Sequence, residues 1–199
     1  WGADPAVLIV PKDSPFNSVG DVVAHAKANP GTITVSGAGL YVGHHIASLQ
    51  FERAAGIKLK YIPAGGGVKA LKMVLGKQVM AGFNNLSDAY RQGNRIKVLG
   101  VADNQRETMF LPDVPTFKEQ GVDVDDSSVN FRGIMARKGT SQDVIDFLAD
   151  RVHLMFQDKK VAKKMKAGGS PLRIMTRGEV QTMWLERQPY LEELLKGLD

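Results

Sequence analysis

The chain has 199 residues, is 43% hydrophobic, 24% charged and 7% aromatic, carries a formal charge of +5 and contains no cysteine. A chain of this length can hide about 70% of its extended surface on folding, enough for one large domain or two small ones. No apolar run approaches the ~20 residues of a membrane-spanning helix. The lack of Cys excludes a disulfide framework, a cysteine nucleophile and a thiolate zinc site, and it fits an exported bacterial protein.

In chain order, short apolar runs alternate with helical periodicity, the pattern of α/β construction. Residues 6–10 form a continuous apolar strand stopped by Pro11. Ser18 with Asp21 predicts a capped helix whose apolar face holds Val22, Val23 and Ala26, ended by Asn29, Pro30 and Gly31. Residues 32–35 read as a strand, followed by a glycine-rich turn and a helix over about 41–55 that Gly56 closes. The cycle then repeats: a strand at 57–62, a turn at 63–67 and a short helix bearing Val68, Leu71, Val74 and Leu75. A strand at 79–83, a short helix to Tyr90 and a strand at 96–101 follow. Such strand–turn–helix units suit parallel pairing through right-handed crossovers.

Beyond Ala102 the character changes. Pro112 and Pro115 forbid regular pairing nearby, residues 129–136 are extended, and three helical segments dominate the end. One carries Val144, Ile145, Leu148, Val152 and Phe156 on one face. The next presents Lys159, Lys160, Lys163, Lys164 and Lys166 around Val161 and Met165, which reads as a solvated amphipathic helix. The last starts at Thr176, capped with Glu179, and Pro189 is expected to kink or interrupt it. The expected division is an α/β unit over about 5–128 and a helical portion over about 137–199, whose apolar faces must pack on the first unit or on sheet outside this chain.

The most informative stretch for chemistry runs over residues 36–45, with Ser36, Gly37, Gly39, Tyr41, Gly43, His44 and His45 between a strand and a helix. A helix N-terminus offers unpaired N–H groups and roughly half a positive charge, so it attracts anions, and glycine lets a ligand approach the backbone. A tight packing turn is the competing explanation. A dinucleotide site is a poor match, because the glycines read G-x-G-x-x-x-G and no acidic ribose reader follows about 20 positions on. Ala64, Gly65 and Gly66 form a second such turn, and Asn84 and Asn85 end a third strand, where Asn85 either meets a polar ligand or caps the next helix. All three stretches fall at the carboxyl ends of predicted strands, where open α/β sheets place ligands.

Catalytic constellations in the sequence are poor. His44 and His45 are adjacent and point ~100° apart on a helix, so they do not form an i,i+4 metal pair. No G-x-S-x-G or H-E-x-x-H occurs. His25 and His153 read as plain surface residues, and Asp125 and Asp126 as solvated turn residues. Arg132 sits in the extended stretch between the two parts, where a guanidinium either grips a ligand carboxylate or makes a structural salt bridge.

On these residues the sequence resembles the periplasmic solute-binding proteins of tripartite tricarboxylate transporters, the Bug proteins. The likeness runs through residues 6–10 and 15–28, the 36–45 loop, Tyr61, Ile62 and Pro63 with the glycines after them, and Phe83, Asn84 and Asn85. It continues through Leu111, Pro112, Asp113, Val114, Pro115, Thr116 and Phe117, then residues 131–140. The resemblance implies a two-domain α/β clamshell that binds a small organic carboxylate in its cleft and delivers it to an integral membrane permease. It implies a periplasmic monomer without cofactor, metal, catalysis or nucleic acid. Carried over by position, the site would be Ser36, Gly37, Gly39, Tyr41, Gly43, His44, Ala64, Gly65, Gly66, Asn84 and Arg132. Residues 5–128 would be the second domain, complete, and 129–199 the C-terminal portion of a first domain whose N-terminal portion this chain lacks. Hinges are expected near 7–10 and 128–132. Leu40, Tyr41 and Val42 stand where small or hydroxyl residues are frequent in the family, and Tyr41 could stack on an aromatic acid. The alternative is an α/β enzyme or cofactor-binding domain using the 36–45 loop.

Overall fold

The computed structural model describes residues 1–198. Its elements begin β1 (Gly2–Asp4), β2 (Ala6–Pro11), α1 (Val19–Ala28), β3 (Thr34–Gly37), α2 (Gly43–Ala55), β4 (Lys60–Pro63) and α3 (Gly67–Leu75). They continue β5 (Ala81–Asn85), α4 (Leu86–Gln92), β6 (Ile96–Ala102), β7 (Asn130–Arg132), α5 (Gln142–Gln157), α6 (Lys159–Ala167) and α7 (Arg177–Leu195). The chain divides into two compact units: Asp4–Asn130, and Trp1–Ala3 with residues from Phe131 onward.

The first of these is a five-stranded sheet in the order β4-β3-β5-β2-β6. The expected parallel pairing holds for β3 with β4 and with β5. It fails for β2, which runs antiparallel to both β5 and β6. The crossover rule dictates direction only for strands joined by a strand–helix–strand unit. No such unit joins β2 to either neighbour in the sheet, so its direction is set by other means. Its run of apolar residues suits a central strand covered on both faces. Alternation along β2 divides the core: Ala6, Leu8 and Val10 face one cluster with Phe51, Phe83 and Phe117, and Val7 and Ile9 face the other with Leu71, Val74 and Leu86. Residues 7–10, expected as a hinge, are thus fully buried inside the sheet. The passages between units fall at Ala3–Asp4 and Asn130–Phe131.

Other boundaries moved for local reasons. Helix α2 starts at Gly43 rather than at residue 41, because Tyr41 adopts a left-handed φ of 57° that no helix accommodates. The capping box of Ser18 and Asp21 is formed. Helix α7, capped by Thr176 and Glu179, runs through Pro189 to Leu195 without the expected interruption. Asp125 is not a solvated turn residue. Its Oδ1 accepts the Gln50 amide at 2.6 Å and the Ser127 N–H at 2.8 Å. Burial pushes its carboxyl up, but these hydrogen bonds outweigh that and hold it below the usual range.

In the second unit β1 pairs with β7, and Gly2 bridges antiparallel to Leu172. Trp1 stacks on Phe156 of α5 at 5.3 Å, and Phe131 meets Trp184 of α7 edge-on at 5.2 Å. Several apolar side chains of α5 and α7 remain exposed, Phe147 and Leu185 among them. Among the described residues, no helix is long and apolar enough to cross a membrane.

Candidate anion-binding site

Register places one set of strand ends along a single edge of the sheet. Gly37 pairs with Pro63, and Ala6 pairs with both Asn85 and Ala102, so the carboxyl ends of β3, β4, β5 and β6 lie beside the start of β2. The turns leaving β3 and β4 meet there. The N–H of Ala64 donates to the Gly37 carbonyl at 2.9 Å, and that of Gly66 to the Ala38 carbonyl at 2.7 Å. Helices α2 and α3 therefore begin side by side, neither with a side-chain cap. Among the described residues, the N–H groups of Gly39, Gly43, His44, Gly65 and Gly67 meet no acceptor. Unpaired donors at adjoining helix starts, with the positive ends of two dipoles behind them, suit a small anion.

Side chains expected at the site divide into those that face this edge and those that brace it. Ser36 is fully buried, and its hydroxyl donates to the Ala70 carbonyl of α3 at 3.0 Å. Asn84 is also fully buried: its amide donates to the Gly67 carbonyl and its Oδ1 accepts the Asn85 N–H, each at 2.9 Å. His44 accepts the Ala38 N–H on Nδ1 at 3.1 Å and reaches Asn85 Oδ1 through Nε2 at 3.1 Å. With Nδ1 occupied as an acceptor, the ring proton lies on Nε2. Burial holds the His44 imidazole below its ordinary range despite the Asn85 hydrogen bond and the Asp88 and Asp4 carboxylates. These bonds link all three turns.

The glycines differ in what they permit. A Cβ on Gly37 would lie 2.0 Å from the Tyr61 hydroxyl, and one on Gly43 would lie 2.5 Å from the Ser128 carbonyl, so both serve close internal approach. Gly65 and Gly66 need their positive φ of 73° and 144°. Gly39 is the open position: a Cβ there would meet only Val42, at 4.0 Å. Around it Leu40, Tyr41 and Val42 are 52%, 52% and 44% exposed. Arg132 belongs to the other unit, on β7, where its carbonyl accepts the Trp1 N–H at 2.9 Å.

Sequence reasoning left three residues of this edge out of the site, although His45 falls within the informative stretch. Asp4, fully buried, accepts the N–H and hydroxyl of Ser87 at 3.0 and 2.5 Å, caring for the first turn of α4 where Asn85 was the expected cap. Tyr61 donates to the Gly39 carbonyl at 2.9 Å, and burial pushes its phenol up to about 12. His45 accepts the Tyr41 N–H at 3.1 Å, with its ring between Tyr41 and Tyr61 at centroid distances of 5.5 and 4.5 Å. A lone acid before a strand and an aromatic inside one carry no local signal of such tasks. Among the described residues, no cluster of three or more His, Asp or Glu side chains could hold a metal ion.

Comparison with known proteins gives the fold its family. The profile of the tripartite tricarboxylate transporter family receptor matches residues 2–184. Protein BugT of Bordetella pertussis is 29% identical over 178 residues, which are 88% of this chain and 54% of that protein. A solved R. palustris protein with adipate superposes with a TM-score of 0.86 at 20% identity, over 98% of this chain and 65% of that one. MatC from Rhodopseudomonas palustris with bound malate gives 0.81 at 18% identity, over 98% and 67%. The chain spans about half the length of the curated relatives it matches. It belongs to the tripartite tricarboxylate transporter receptor family, which includes the Bug solute-binding proteins.

Proposed function

We propose that this chain is part of an extracytoplasmic receptor that captures a small organic carboxylate for a membrane permease and leaves it chemically unchanged. One observation carries this reading: two uncapped helix starts lie side by side with five free N–H groups at one sheet edge. In this reading the backbone of Gly39, Gly43, His44, Gly65 and Gly67 holds the carboxylate. Ser36, Gly37, Ala64, Gly66 and Asn84 brace the turns. Leu40, Tyr41 and Val42 form an apolar rim for the body of the ligand. The unit Asp4–Asn130 is one ligand-binding domain of that receptor. Residues from Phe131 onward belong to a second domain. Two solved relatives that hold adipate and malate, one each, support the ligand class.

Thermal-shift measurements with malate, adipate and benzoate test this. A rise in midpoint with at least one acid, and recovery of that acid unchanged, is the expected result. Turnover of any of them, or a rise matched by chloride at equal ionic strength, would overturn it.

A further inference from the structure

Consecutive helical side chains diverge by ~100°, yet His44 and His45 both turn Nδ1 back onto the turn that precedes their own helix. Ala38 and Tyr41 donate their N–H groups to the two Nδ1 atoms, each at 3.1 Å. An Nδ1 that accepts an N–H carries no proton, so both rings are Nε2–H tautomers. Protonation would set an N–H against an N–H and turn each bond into a repulsion. The turn between them is not at rest on its own: Tyr41 sits at φ 57°, in the left-handed region that a non-glycine residue rarely adopts.

We propose that His44 and His45 are positioning residues that clamp the 38–41 turn in its anion-binding shape while neutral, so that acid frees the turn and releases the carboxylate. This rests on the reading of the edge as a carboxylate site. The charged neighbours of His44 are Asp4, ahead of β2, and Asp88 of α4; His45 lies between the neutral rings of Tyr41 and Tyr61. Burial keeps both imidazoles below their ordinary range, so both clamps are closed at neutral pH.

Two readouts on the whole chain need no ligand. Imidazole ¹⁵N spectra at neutral pH should show both rings as Nε2–H tautomers. The Ala38 and Tyr41 amides should exchange slowly there and lose roughly tenfold or more of their protection on acidification well below pH 6.5, after correction for intrinsic rates. Adipate binding by calorimetry is the third readout, expected to weaken roughly tenfold over the same range. His44→Asn and His45→Asn put a non-titrating Oδ1 near the place of Nδ1. The double variant should bind adipate with nearly the same affinity at both pH values. Nδ1–H tautomers, unprotected amides at neutral pH, or an Asn variant as acid-sensitive as the parent would each overturn the clamp. Protected amides with no adipate binding at either pH would leave the clamp standing and remove the carboxylate reading.

Discussion

Nε2 of His44 lies 3.1 Å from Oδ1 of Asn85, so a residue in the first turn of α2 is tied to the last residue of β5. The bond explains why two separate turns keep one shape. His44 also holds Ala38 through Nδ1, and Asn84, beside Asn85, holds Gly67. Side chains spend their polar groups on the frame, and the backbone N–H groups are left for a ligand.

Gly39→Val should abolish carboxylate binding and leave stability within about 0.5 kcal/mol of the parent. The added side chain has room, since its Cβ meets only Val42 at 4.0 Å, but it would stand where a ligand approaches. Calorimetry and urea unfolding read the two effects separately. Undiminished affinity would remove this turn from the site.

Gly37→Ala should destabilise by about 1–3 kcal/mol, because its methyl group would sit 2.0 Å from the Tyr61 hydroxyl. In the Tyr61→Leu background the same change should cost less, a coupling read by a double-mutant cycle. Equal costs in both backgrounds would show that the collision does not govern Gly37.

Asp4→Asn should lower stability by about 1–3 kcal/mol, measured as a shifted urea midpoint with an unchanged slope. The fully buried carboxylate takes both the N–H and the hydroxyl of Ser87, and an amide can accept at only one oxygen. A midpoint like the parent's would mean that this pairing is dispensable.

Stability should fall on acidification below about pH 6.5. Both His44 and His45 are held below their ordinary value of 6.5, chiefly by burial. The unfolded chain then binds protons more readily than the folded one, so stability rises with pH across this window. The contribution is complete above 6.5 and is lost as pH falls from there through the lowered folded values. Unfolding free energies at a series of pH values check it, with His44→Asn flattening the slope. A slope unchanged in that variant would assign the acid sensitivity elsewhere.

Much of the order of elements was legible because it is local. Ser18 with Asp21 and Thr176 with Glu179 are capping boxes a few residues long, and both form. The glycine-rich stretch after β3 announced a turn, and the turns after β3, β4 and β5 do gather at one edge. What escaped was non-local. The direction of β2 depends on neighbours more than seventy residues away, β5 and β6. Asp4 serves Ser87 from 83 positions upstream. Ser36 and Asn84 have the chemistry of ligand contacts, but burial commits their polar atoms to Ala70 and Gly67. Pro189 was read from a rule about missing hydrogen bonds, yet α7 continues through it.

The most direct test of the account is an amide ¹H–¹⁵N titration of the chain with adipate and, separately, malate, carried to millimolar concentrations so that a weak half-site is detected. The account predicts saturable shifts at Gly39, Gly43, His44, Gly65 and Gly67 with at least one of the two acids. No shift with either acid, or shifts confined to the lysines of α6, would contradict it.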